Sequence, residues 1–194
     1  MKAHNLAVQW ISPQEYLDAE RLAETKSEYF NGEVFAMAGA SFSHVRITLN
    51  MTLALGNQLR GKGCQPFGND LRVLVDSSGL FTYPDLTVAC EPLEFFDERQ
   101  DTLTNPVVVI EILSPATEAY DRGQKWAHYR GVPSLRHYVL VSQHKRSLEH
   151  FQRGEDGQWF FEATEENDGE IFLSTIDCRL RVEEIYERVE LDDL

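Results

Sequence analysis

A chain of 194 residues with 42% apolar side chains has material for one ordinary core, and its expected organisation is a single domain over 1–194 with the core at about 12–186. No run is long and apolar enough to span a bilayer, and residues 1–10 lack the apolar stretch of a secretion signal, so a cytoplasmic protein without membrane contact is expected. The net charge of −14 weighs against a broad basic footprint for nucleic acid, although the acidity gathers at 91–101, 155–170 and 183–193 and leaves Arg122, Lys125, Arg130, Arg136, Lys145 and Arg146 in a more basic middle.

Ser12-Pro13-Gln14-Glu15 predicts a helix start, with serine as N-cap, proline in the first turn and glutamate closing a capping box; the helix runs to about residue 24. Asn31-Gly32 between 27–30 and 33–37 predicts a β-hairpin. A second helix begins near Ser41 or Ser43, carries Val45, Leu49, Leu53 and Leu59 at broadly helical spacing, and stops at Gly61 and Gly63. Strands at 71–75 and 83–89 flank the turn residues 76–79, and 93–105 reads as a polar loop. The run 106–113 reads as a strand buried on both faces and ended by Ser114-Pro115. Thr117 caps a helix over about 118–130, which Gly131-Val132-Pro133 breaks. Strands at 136–142, 148–153, 159–163 and 171–173 and a short helix at 182–188 complete an α/β (α+β) pattern, a mixed sheet with helices on its faces.

Glu111 is the anomaly in that pattern. It interrupts Val107-Val108-Val109-Ile110 and Ile112-Leu113, where an isolated carboxylate costs several kcal/mol unless it is paired, protonated or bound to a cation. Asp85 follows Pro84 at the start of an extended run, on the face opposite Leu86 and Val88. If the two strands are neighbours, Asp85 and Glu111 converge on a hard cation such as Mg2+ or Mn2+, with the backbone carbonyl of Ile112 as third ligand. Lys125, on the following helix, then stands where an ammonium orients water or stabilises charge on phosphorus. The plainer readings are a strand-end aspartate bonding loop amides, a buried pair of Glu111 with Arg72 or Arg136, and an i, i+4 surface pair of Asp121 with Lys125.

Pro84-Asp85, Glu111-x-Leu113 and the segment from Glu111 to Lys125, together with Glu28-Tyr-Phe-Asn-Gly-Glu33, Ser43-His44 and Gly68-Asn-Asp70, resemble the Uma family of restriction-endonuclease-like proteins, a branch of the PD-(D/E)XK nuclease superfamily. The resemblance implies a central mixed sheet flanked by helices, Asp85 and Glu111 as metal ligands, a DNA substrate and a homodimer. The superfamily's usual lysine, two residues after the glutamate, is Leu113 here, and its role falls to Lys125. Glu28 and His44 are further catalytic candidates; Glu33 and Asp70 are weaker ones. Competing with the nuclease are a catalytically weak binding module and a phosphoesterase acting on small substrates.

Other chemistries lack their motifs. The six histidines form no HxH or HExxH, no glycine-rich phosphate loop is present, and Ser41 and Ser43 have no GxSxG context. Trp126 and Tyr129 are expected to pack their helix on the sheet. Three cysteines without a CxxC suit a reduced compartment and argue against a disulfide framework or a zinc ribbon.

Overall fold

A computed structural model describes residues 10–191; the stretch expected to lack a secretion signal lies almost wholly outside them. Helix α1 (Pro13–Glu20) starts as expected: the Glu15 N–H donates to Ser12 Oγ and the Ser12 N–H to Glu15 Oε2. It ends earlier than residue 24, because the Glu20 carboxylate turns back to accept hydrogen bonds from the Ser27 N–H and the Tyr83 hydroxyl. Strands β1 (Ser27–Phe30) and β2 (Glu33–Ala36) form the hairpin, and Asn31 and Gly32 take φ of 48° and 87°, the left-handed region their turn requires.

Helix α2 (Phe42–Leu59) is capped by Ser41, whose Oγ accepts the His44 N–H. Then come β3 (Cys64–Gly68), β4 (Arg72–Val75), β5 (Leu80–Thr82) and β6 (Leu86–Cys90). The strand expected at 83–89 is thus β6, which starts only at Leu86, while the unforeseen β5 before it belongs to the other sheet. Pro84, which has no N–H to give a ladder, lies in the crossing between them and leaves Asp85 at the junction. The loop at 93–105 contains the two-residue β7 (Thr102–Leu103), parallel to β4.

Strand β8 (Val108–Leu113) is buried along its whole length. The helix expected at 118–130 is three segments: α3 (Glu118–Tyr120), a π-helical turn (Asp121–Lys125) and α4 (Trp126–Tyr129). Thr117 does not cap it through its side chain; instead the Thr117 N–H donates to Ser114 Oγ. Strands β9 (His137–Ser142), β10 (Leu148–Arg153) and β11 (Trp159–Thr164) follow, then a hairpin of β12 (Glu170–Leu173) with the unforeseen β13 (Cys178–Arg181), and α5 (Val182–Ile185).

Six strands make the main sheet in the order β11-β10-β9-β8-β6-β3, with β8 parallel to β9 and the other pairs antiparallel. The inner face of α2, Ile47, Met51, Leu55 and Leu59, packs on Leu86, Val88, Val108, Ile110 and Ile112. Tyr129 and Leu135 pack with Val109, Leu113, Tyr138 and Leu140 from the opposite face. Each such side chain contributes about 1.5–3 kcal/mol on burial, so the sheet is held rigidly from both sides. Trp126 packs on the sheet as expected, stacked on Tyr138 and tilted against Phe151. The second sheet, β2-β1-β5-β4-β7, packs Tyr29, Leu74 and Phe81 against Tyr16 and Leu17 of α1. The architecture is therefore the expected mixed α+β core. Among the described residues no helix is long and apolar enough to cross a membrane.

The cysteine reading is corrected. Antiparallel pairing sets Cys64 of β3 opposite Cys90 of β6, and the two form a disulfide, while Cys178 is buried with a free thiol. A spacing of 26 residues reveals no register, and β3 was not expected as a strand, so the sequence hid the pair. With it goes the support that the cysteines lent to a reduced compartment.

Candidate active site

β6 and β8 are antiparallel neighbours, with Leu86 opposite Ile110, so the residue before β6 lies beside the end of β8. Asp85 Oδ2 accepts the Ile112 N–H at 2.7 Å, and Asp85 Oδ1 lies 3.0 Å from His44 Nε2 at the first turn of α2. Because the N–H and C=O of one strand residue point the same way, the Ile112 carbonyl faces the same open edge beyond β6. Alternation along β8 sends Ile110 and Ile112 towards α2, and Val109, Glu111 and Leu113 towards the π-helical turn.

Lys125 is the hub on that side. Its Nζ lies 3.1 Å from Glu111 Oε1, 3.2 Å from Glu28 Oε1 and 3.5 Å from Asp121 Oδ1, and all four side chains are buried. The Tyr129 hydroxyl donates to Glu111 Oε1 at 3.0 Å, and the Thr82 hydroxyl donates to Glu28. Asp121 with Lys125 is therefore no surface pair. The cation beside Glu111 is Lys125 rather than Arg72, which lies instead 3.6 Å from Asp101.

Burial works against charge throughout this cluster. It pushes the Glu111 carboxyl well above the usual range despite the pull of Lys125, and Asp121, Asp85 and Glu28 push it further. Burial likewise raises Asp121, with Lys125 opposing. For Lys125, burial disfavours the ammonium, but Glu111, Glu28 and Asp121 outweigh it and hold the pKa well above normal. Lys125 is therefore a fixed cation at neutral pH. The Tyr120 hydroxyl, beside the same carboxylates, is pushed up to about 12, chiefly by burial.

These groups line a cleft of about 490 Å³. Four carboxylates there, Glu28, Asp85, Glu111 and Asp121, face one ammonium, a formal surplus of three negative charges in a poorly solvated place. Asp121 Oδ1 is buried and makes no hydrogen bond. Such an oxygen-rich, under-compensated set fits a hard divalent cation. Among the described residues no group of three or more His, Cys, Asp or Glu side chains is disposed to hold a metal ion, so Asp85 and Glu111 would be completed by the Ile112 carbonyl and water.

All five expected catalytic residues, Asp85, Glu111, Lys125, Glu28 and His44, line this one cleft. Asp70 does not join them; it is exposed and paired with Lys26 at 2.9 Å. Glu33 is likewise exposed on β2. Asp121 and Tyr129 were missed, although Asp121, Lys125 and Tyr129 recur at every fourth residue, which is the signal of one shared helical face.

A mixed sheet clasped by helices, with acidic side chains meeting at the ends of two neighbouring strands, is a nuclease-type fold. The structure is similar to the crystal structure titled a "putative nuclease belonging to DUF820" from Anabaena variabilis ATCC 29413, with a TM-score of 0.71 and 18% identity over 87% of this chain and 93% of that one. Residues 13–183 match the Uma2 family model, described as "Putative restriction endonuclease", and the chain belongs to that family. Its relatives include two from Synechocystis sp. (strain ATCC 27184 / PCC 6803 / Kazusa). "Uncharacterized protein slr1290" is 35% identical over 178 residues, 91% of each chain. "Uncharacterized protein sll1609" is 34% identical over 164 residues, 84% of this chain and 93% of that one.

Proposed function

We propose that the protein is a metal-dependent endonuclease that hydrolyses DNA phosphodiester bonds by a PD-(D/E)XK-type mechanism. The observation that carries this reading is the convergence of Asp85 and Glu111 beside a lysine delivered from the next helix, 3.1 Å from Glu111. Asp85, Glu111 and the Ile112 carbonyl would hold Mg2+ or Mn2+, which supplies Lewis acidity and a more acidic water when bound. Lys125 stays charged and so stabilises the negative charge building on phosphorus rather than taking a proton. Tyr129 and Lys125 fix the Glu111 carboxylate, and the Ile112 N–H and His44 fix Asp85. Leu113, on Glu111's face, is part of the core, and the amine arrives from the helix instead.

The test is incubation of plasmid DNA, both supercoiled and heat-denatured, with Mg2+ or Mn2+. The wild type cuts at least one of the two forms, and Asp85→Asn and Glu111→Gln lower the rate by roughly 100-fold or more. Equal rates in all three proteins overturn the assignment. One observation favours the second reading, a catalytically weak binding module: the Lys125 ammonium already sits amid three of the carboxylates. In that case Mg2+ gives no thermal shift in the wild type.

Pairing of two copies belongs to the same proposal. Phe42, Val45, Leu49 and Leu53 are exposed along the outer face of α2, a helix whose only Lys, Arg, Asp or Glu is Arg46. Antiparallel apposition of two such helices would cover the stripe. Light scattering then reads a dimer for the wild type and a monomer for Leu49→Glu; a monomeric wild type ends the pairing.

A further inference from the structure

The cleft has a second wall, opposite in character to the carboxylates. In the β1–β2 hairpin Glu28 is directly across from Phe35, so the two share a face, and Phe30 joins them two residues on from Glu28. Tyr29, between them, turns the other way into the core with Tyr16 and Phe81. One face of the hairpin thus carries the carboxylate that grips Lys125 and, beside it, two phenyl rings that line the cleft with Met37. Phe30 is braced edge-on against the His128 ring at 4.7 Å, whereas Phe35 is 48% exposed. An aromatic side chain left half-bare at the mouth of a charged cleft is a surface for something flat.

The charges say what that something is not. A DNA duplex presents a negative charge every 1.7 Å or so along its axis, and proteins grip it with rows of Lys and Arg. Among the described residues lining this cleft, Lys125 is the one Lys or Arg, and carboxylates already claim it. The volume of about 490 Å³ is that of a site for a single small ligand. A paired base keeps both faces stacked inside the helix, and only an unpaired one offers a face to a phenyl ring.

We infer that the cleft takes an unpaired nucleotide of single-stranded DNA, its phosphate at the Asp85–Glu111 end and its base against Phe35, Phe30 and Met37. The inference rests on the nuclease reading above and names its substrate. Base stacking, rather than phosphate contacts, carries the affinity, so binding is only weakly salt-dependent.

Fluorescence anisotropy with a labelled 20-mer, single-stranded or annealed to its complement, tests this with Ca2+ present to offset the carboxylates. The single strand binds at least tenfold tighter, with a log–log salt slope of about −0.7 to −1.4, the value for one or two phosphates. Phe35→Ala weakens single-strand binding about 5- to 100-fold, the loss of one stacked base, and Phe35→Trp restores it. Phe35 stands half-exposed on the sheet-edge strand β2, so Phe35→Ala keeps the wild-type circular dichroism. Equal or tighter duplex binding, or indifference to Phe35→Ala, overturns the inference. Cleavage of the same two DNAs with Mg2+ separates the two failures. Duplex cutting that ignores Phe35→Ala sinks the base wall and leaves the nuclease. Phe35-dependent single-strand binding without cutting of either form sinks the hydrolytic reading alone.

Discussion

On the six-stranded sheet, β9 and β10 bury His137 and His150, while β8 and the π-helical turn bury Glu111, Asp121 and Lys125. The histidines form a closed relay. The Thr175 N–H donates to His137 Nε2 at 3.3 Å, His137 Nδ1 lies 2.9 Å from His150 Nε2, and His150 Nδ1 lies 2.8 Å from Glu162. Neutral rings that each donate once, in the direction of Glu162, satisfy every nitrogen. Burial keeps them neutral, pushing His137 down to about 3 and His150 below its ordinary value. The carboxylate cluster is the reverse: four carboxyl groups against one ammonium, open to a cleft. A polar group that is buried, neutral and saturated serves the architecture, whereas surplus charge at a cavity wall marks chemistry.

Removing the hub should separate the two regions most. Lys125→Met leaves Glu28, Glu111 and Asp121 without their cation, and unfolding free energy at neutral pH should fall by about 3–5 kcal/mol. Mg2+ should recover part of that loss in a thermal melt. A loss under about 1 kcal/mol would mean that the carboxylates are already protonated and that the hub is idle.

Acid titration should sharpen the contrast. His137 has a folded pKa of about 3 against an unfolded 6.5, so between these values the unfolded chain binds more protons. Its contribution is complete above pH 6.5 and lost as pH falls towards 3, with a slope of up to about 1.4 kcal/mol per pH unit. Glu111 has the opposite sign: its raised carboxyl pKa makes the folded state the better proton binder, so its contribution grows as pH falls. Urea unfolding from pH 7 to 5 should therefore be flatter in His137→Gln and steeper in Glu111→Gln. Shifts in the same direction would break the comparison.

The smallest effect is expected at Asp70, whose exposed pair with Lys26 belongs to neither region. Asp70→Asn should leave melting temperature and DNA cleavage where they are. A drop in cleavage would draw Asp70 into the site after all.

What the chain reveals by itself follows from the range over which each feature is decided. The capping box, the Asn31-Gly32 turn and the buried run around Glu111 are local, and the structure keeps them. So is the recurrence at 121, 125 and 129, though only its middle member was read as catalytic, Asp121 as a surface partner and Tyr129 as packing. The division of 80–90 between two sheets, the pairing of β3 with β6 and the Cys64–Cys90 bond depend on register between distant strands. No composition or period encodes that register. Glu28 shows both sides of this: its strand was legible, but its meeting with Lys125, 97 positions on, is decided by how the sheets come together.

The Tyr83-Pro84-Asp85 crossing has a mechanical consequence. Asp85 is anchored to one sheet by the strand that follows it and to the other by the strand that precedes it, with Tyr83 tethered to Glu20 of α1. Relative sliding of the two sheets therefore becomes displacement of Asp85, the carboxylate proposed to hold the metal, and a shift of about 1 Å at a catalytic position can cost roughly 100-fold in rate. Tyr16, Tyr29 and Phe81, which pack α1 onto the second sheet, are in this way the alignment screws of the cleft.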